Sequence, residues 1–372
     1  MQAPGPNLPR RAHNTCMPEI EYRGRRAATI ENDEVRVTVL QEGGHIAGIL
    51  HKRSGVNPLW TPPWPSIEPS TYNPARHPEY GSGAECRLLA GIMGHNLCMD
   101  IFGGPSAEEA AAGLTVHGEA SVAPYRIACG ETELTMETCL VHSQLRLERR
   151  LRLAGAVVEF AETVENLSAT DRPIAWTQHV TLGPPFLSRG ATRFEASATR
   201  SQVEQTDFTG GKGYMQPGAE FVWPLVPALG GGAADLRTFT TAPVSGAFTM
   251  HLMDPGRRNA FFTAWSPESR VAFGYVWRQA DFPWMGIWEE NHCREFAPWN
   301  GQTLTRGMEF GVSPMAETRR EMLARGTMFG VPCYRWIPAR TRVAVEYRAA
   351  IGPTADVPAE LVWDEQGEVR FA

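Results

Sequence analysis

Four stretches of the chain carry residue types that could move protons or hold a polar small molecule. "GLTVHGEAS" (113–121) sets His117 before a glycine, and "RPIAWTQHVTLGPPFL" (172–187) carries Gln178 and His179 to a strand end. An imidazole with an unperturbed pKa near ~6.5 can give or take a proton near neutrality. The rigid "GPPFL" follows His179 at once, and functional side chains concentrate at such strand ends. "ADFPWMGIWEENHCREFAPWNG" (280–301) places Trp284, Trp288 and Trp299 among Asp281, Glu289, Glu290, His292, Arg294 and Glu295. Neighbouring residues of a strand point to opposite faces, so at most one of Glu289 and Glu290 can enter a given pocket. Aromatic rings beside acids suit sugars, whose C–H faces stack on rings while their hydroxyls bond to carboxylates. Last, the apolar "GSGAECRLLAGIMGHNLCMDIFGG" (81–104) carries Glu85, Arg87, His95, Asn96 and Asp100. Buried polar groups there must pair with each other or with a ligand. Each stretch also has a plain structural reading: His117 in a turn, His179 bonded to a backbone carbonyl, the tryptophans packed between sheets, Arg87 paired with Glu85.

The elements that must position these residues are strands. "EVRVTVLQ" (34–41) alternates Val35, Val37 and Val39 with polar residues. "LRLERRLRL" (145–153) sets Leu145, Leu147, Leu151 and Leu153 against Arg146, Glu148, Arg150 and Arg152. "VVEFAETVENL" (157–167) and "RVAVEYRAA" (342–350) repeat the period of two expected of half-buried antiparallel strands. Turn signals such as "ENLSATDRP", "FTGGKGY", "ALGGGAAD" and "DPGRRN" separate them. Two short helices are predicted. Ser106 and Glu109 form a capping box over "AEEAAA". In "SPMAETRREMLARG", Ser313 is the expected cap, Pro314 the first helical residue and Gly326 the stop. The pattern predicts an all-β, antiparallel sandwich in one domain over residues 29–372, preceded by an irregular arm over 1–28.

Composition narrows the function classes. The 372 residues are 42% hydrophobic and 20% charged, as expected of a soluble globular protein. With 35 basic against 41 acidic side chains and no basic stripe, nucleic acid is not an expected partner. No apolar run approaches the ~18 residues of a membrane span, and the Pro-rich, charged start lacks the apolar core of a signal peptide. Seven scattered cysteines without a C-x-x-C pair fit reduced thiols. A cytoplasmic protein without membrane association is expected, and nothing in the sequence sets its oligomeric state. No H-x-H or H-x-x-x-H pair, phosphate loop or G-x-S-x-G elbow occurs, so neither a metal nor another cofactor is expected.

In order, these segments resemble the galactose mutarotase-like (aldose 1-epimerase) superfamily. "QEGGHIAGILH" is similar to its early strand with paired glycines, and "AECRLLAGIMGH" to its Arg-bearing, glycine-containing segment. "LTVHGEA" resembles its "LHGG" signature, and "VENLSATDRPIAWTQHVTLG" the strand pair bearing its second histidine. "GIWEEN" and "CYRWIPARTRVAVEYRAA" lie where it has its glutamate and closing strands. The resemblance spans roughly residues 30–350. It departs where Glu119 follows "HG", where Glu289 is followed by Glu290 and Asn291 instead of proline, and in the extended "REFAPWNGQTLTRGMEFGVSP" (294–314).

The resemblance implies a β-supersandwich with an open groove for a small carbohydrate. It implies that His179 is the general acid and Glu289 or Glu290 the general base of anomer exchange, without a cofactor. His117 and Arg87 would bind substrate, and the reading of the residues themselves adds His95, Gln178, Trp284 and Trp288 as substrate-binding candidates. Two rivals use the same groove: a lyase or other epimerase on a uronate or modified sugar, and a non-catalytic sugar-binding protein.

Overall fold

Apolar–polar alternation becomes a pair of stacked sheets. In the computed structural model, which describes residues 20–372, Leu145–Ala154 is a strand with Leu145, Leu147, Leu151 and Leu153 buried and Arg146, Arg150 and Arg152 exposed. The smaller sheet has eight antiparallel strands. It runs from Arg193–Ala196 through Asn259–Ser266, Val271–Arg278, Arg342–Pro353, Val157–Asn166, Leu145–Ala154 and Glu133–Leu140 to Arg126–Cys129. Among the described residues the larger has twelve, and its middle holds His179. There His95–Asp100 pairs with Arg172–Leu182, which pairs with Leu304–Gly311, then Trp284–Asn291, then Ser245–Met253, all antiparallel. Between the sheets lies one core of buried side chains reaching from Ile30 to Ile351. The protein is an all-β antiparallel sandwich. Among the described residues no helix is long and apolar enough to cross a membrane.

Two details differ from the sequence-based expectation. Ile20–Tyr22 and Arg25–Glu31 are the first strands of the larger sheet, so residues 20–28 do not belong to an irregular arm. Arg25 is buried and donates to the carbonyls of Glu42 and Gly91 and to Glu68, which fixes that edge. The rest of the expected arm, with Cys16, lies outside the described residues. The Ser106–Glu109 capping box forms as expected over Ala107–Ala111. The later helix, Arg319–Arg325, starts instead at a capping box of Thr318 and Glu321. Ser313 is buried and unable to cap it, its hydroxyl meeting Met322 Sδ.

The inward row of the 145–154 strand includes one residue that leucine counting passes over. Arg149 is buried between the sheets and donates to Glu162 at 2.7 Å and to Gln178 at 3.1 Å. Tyr347 and Trp176 also donate to Glu162, and His95 bridges Gln178 Oε1 and the Tyr275 hydroxyl. His95 and Gln178 therefore serve this inter-sheet network and do not line a groove, a correction that follows from strand parity. Glu162→Ala would leave the Arg149 charge buried without its partner. It is expected to cost about 3–5 kcal/mol, read by denaturant unfolding; a loss below about 1 kcal/mol would mean the network is not a stability element.

Candidate active site

On the outer face of the larger sheet the alternation selects the other set of side chains. One register row runs across four strands: Asn96 faces His179, His179 faces Glu309, and Glu309 faces Gly286. His179 Nε2 lies 3.1 Å from Glu309 Oε1, and Nδ1 meets the Thr181 hydroxyl at 2.9 Å. The close approach of His179 and Glu309 is not a formed hydrogen bond, since Glu309 Oε1 has no such partner among the described residues. Glu309 Oε1 is thus available to a ligand hydroxyl. Asn96 Nδ2 and Thr177 Oγ1, buried on the same face, are likewise unpartnered among the described residues. Buried polar groups left in this state call for a polar ligand or water.

His117 reaches the row from a loop. Its ring centroid is 4.6 Å from that of His179, and its Nδ1 is 3.3 Å from Asn96 Oδ1. The loop is held to the strand end by Met99 N–H donating to the His117 carbonyl and His117 N–H donating to Gly103. His117 has φ +66° and Gly118 φ +74°, and a Cβ on Gly118 would lie 2.2 Å from the Met99 carbonyl oxygen. Only glycine allows that approach. Glu119, where the resemblance leads one to expect a second glycine, accepts from the backbone of His142 and Ser143 and ties the loop to the next turn. Gly118→Ala is expected to displace His117, weakening ligand binding together with stability; unchanged affinity in a folded variant would remove His117 from the site.

The carboxylate of Glu309 has room because its own strand provides it. Gly307, Glu309 and Gly311 share one face, and a Cβ at Gly307 would lie 2.3 Å from Glu309 Oε1. Burial pushes the Glu309 carboxyl well above its usual range. It pulls His179 down to about 4, and His117 well down, with the neighbouring His179 adding to the effect. Burial in this site thus favours the uncharged forms, with a single proton for Glu309 and His179 to exchange.

Burial also lowers His45 and His251, each to about 3. A group whose folded pKa is depressed stabilises the fold above its unfolded pKa, here about 6.5, and loses that contribution as pH falls toward the folded value. Melting temperature is therefore expected to drop between pH 6.5 and 4, and a flat profile across that window would contradict neutral buried histidines.

The aromatic wall comes from two sides. Trp288 lies 6.0 Å from the His179 ring and Phe102 6.1 Å from that of His117, with Phe248 beside Phe102. From this wall opens a cleft of about 710 Å³ lined by Phe208, Phe248, Arg294, Met315, Glu317 and Arg325. The histidines stand just behind its lining: Phe248 connects through Phe102 to His117, and Arg294 through Trp288 to His179. Among the described residues no group of three or more His, Cys, Asp and Glu side chains is arranged to hold a metal.

The remaining expected site residues lie elsewhere. Glu289 is on the inter-sheet face, paired with Arg306 at 3.2 Å and accepting from Tyr214. Glu290 is on the outer face but accepts from the backbone N–H of Cys293 and Arg294 and from the Cys293 thiol. Neither touches a histidine of the pair, so the carboxylate beside His179 is Glu309. Arg87, on the short helix Cys86–Leu89, donates to the Pro69 carbonyl at 3.3 Å and pairs with neither Glu85 nor the site. Trp284 shares the outer face with Trp288 but is fully buried, its indole N–H donating to Pro332. Glu309 could have been found from "GMEFG", in which period two puts a carboxylate between two glycines on one face.

No protein-family model and no curated protein sequence matches the chain. Solved structures do match its shape. A protein assigned as an aldose 1-epimerase from Klebsiella pneumoniae superposes with TM-score 0.64 at 14% identity, covering 88% of this chain and 79% of that one. A galactose mutarotase-like protein from Clostridium acetobutylicum gives 0.58 at 11% identity, over 91% and 98%. A galactose mutarotase related enzyme from Lactobacillus acidophilus gives 0.56 at 13%, over 89% and 98%. At such identities the likeness is one of backbone. The chain has the galactose mutarotase-like fold, in a sequence far diverged from these structures.

Proposed function

We propose that the protein binds a small carbohydrate in this cleft and interconverts its anomers by acid–base catalysis at His179 and Glu309. The observation that carries the reading is the 3.1 Å approach of His179 Nε2 to Glu309 Oε1, beside the His117 ring and one aromatic ring behind the lining of the cleft. Anomer exchange needs one base and one acid within hydrogen-bond reach of the same ring. The base takes the anomeric hydroxyl proton, the acid protonates the ring oxygen, and the C1–O bond breaks to give an open-chain carbonyl. Rotation about C1–C2 and closure reverse both transfers, so the pair ends with the one proton it began with. Burial favours that proton on Glu309 at rest, leaving a neutral imidazole to act as base. Closure from the opposite face uses the two groups in exchanged roles. Asn96 Nδ2 and His117 are the nearest groups to bind sugar hydroxyls, with Trp288 and Phe102 as stacking faces. The fold likeness to a protein assigned as an aldose 1-epimerase supports the reading. The test is anomer interconversion by saturation-transfer NMR over a panel of aldoses; absence of exchange above the uncatalysed rate for every sugar would refute it.

A further inference from the structure

We infer that the sugar taken by this site carries a carboxylate, and that Arg294 reads it. The inference rests on the carbohydrate reading and extends it to a substrate class. Arg294 lines the cleft one indole ring from His179, and its guanidinium lies over three aromatic rings: Trp299 at 4.7 Å, Phe208 at 5.1 Å and Trp288 at 5.5 Å. That stack holds the planar group in one orientation before any ligand arrives. Its Nε is 3.4 Å from Glu290 Oε2. Among the described residues its Nη1 and Nη2 groups have no hydrogen-bond partner. Glu290 itself is committed to the backbone of residues 293 and 294 and to the Cys293 thiol, so it anchors the start of the Arg294 side chain and leaves the far edge open.

The other charged groups of the cleft already have hydrogen-bond partners. Arg325 is bound to Glu317, Glu321 forms the cap of its helix with Thr318, and Glu204 accepts from the Thr206 N–H. Arg294 is thus the lining cation with donors to offer, and two parallel N–H groups in a plane fit a carboxylate in bidentate fashion. One such cation suits a single negative charge. A phosphate dianion would have one free cationic partner for two charges.

The test compares glucuronate and galacturonate with glucose, galactose and glucose 6-phosphate, binding being measured by calorimetry or ligand NMR on the intact protein. A charge-assisted bidentate contact predicts about 10- to 100-fold tighter binding of a uronate than of its neutral parent. Arg294→Gln should erase that preference while leaving affinity for the neutral sugar within about threefold, and Arg294→Lys should keep part of it. Equal binding of uronate and neutral hexose by the wild type overturns the inference, as does equal weakening of both by Arg294→Gln. Tighter binding of the sugar phosphate than of either uronate overturns the carboxylate assignment. Binding of none of the five overturns both this inference and the carbohydrate reading, whereas neutral sugars binding without a uronate preference overturns this one alone. If the glutamine variant does not fold, the wild-type comparison still decides.

Discussion

Replacing His179 by glutamine is expected to lower turnover on the best sugar by roughly 10²–10⁴-fold, the usual range for losing a positioned acid or base. Glutamine is close to histidine in size and can keep the hydrogen bond to Thr181, but it cannot take a proton. The site lies on the outer face of the sheet, apart from the inter-sheet core, and His179 is not a member of the Arg149–Glu162 network. Stability should therefore change little, and ligand affinity should fall less than turnover. Anomer exchange by NMR, with melting temperature measured alongside, checks this. Full activity in a folded His179→Gln variant would remove the residue from the mechanism.

Glu309→Gln is expected to cause a comparable loss of turnover together with a gain in stability. Burial raises the folded-state pKa of this carboxyl well above 4.5. A raised carboxyl destabilises the folded state at pH values above its unfolded pKa, where the unfolded chain is free to ionise. Below that pKa the penalty disappears. The amide carries no such penalty, so the variant should be more stable than the wild type near pH 7, with the gain vanishing below about pH 4.5. Lower activity with higher stability is the signature of a strained functional group. Glu289→Gln provides the contrast: it should cost stability, because it weakens the buried pair with Arg306, and act on turnover only through folding. Were Glu289→Gln to abolish turnover in a well-folded protein while Glu309→Gln stayed active, the assignment of the base and acid pair would be wrong.

Some of this site was legible in the residues and some was not. His179 could be placed at a strand end because alternation through "RPIAWTQHV" and the stop at "GPPFL" are local signals. His117 could be singled out because a His-Gly pair in a turn is local too, and the left-handed backbone of both residues is what that pair allows. The parity argument also separated Glu289 from Glu290, and the two do lie on opposite faces. It could not tell that both would be engaged by neighbours, because Arg306, Tyr214 and the turn at Cys293 reach them only after folding. His95 and Gln178 illustrate the same limit: polar residues in apolar strands signal that partners exist, without saying whether those are ligands or other side chains.

What the sequence by itself determined is the class of architecture and the face each strand residue occupies, since both follow from a period of two acting within a few residues. Tertiary structure decided which faces became core and which became site. It also decided which carboxylate stands beside His179. Glu309 is far from His179 in the chain and reaches it through strand register, Leu304–Gly311 lying against Arg172–Leu182 so that the two residues are cross-strand partners. Register between distant strands is set by the packing of the whole sheet against its partner, where a slip of one residue would turn every side chain to the wrong face. No local pattern carries that information, and so the approach of Glu309 to His179 exists only in the folded sheet.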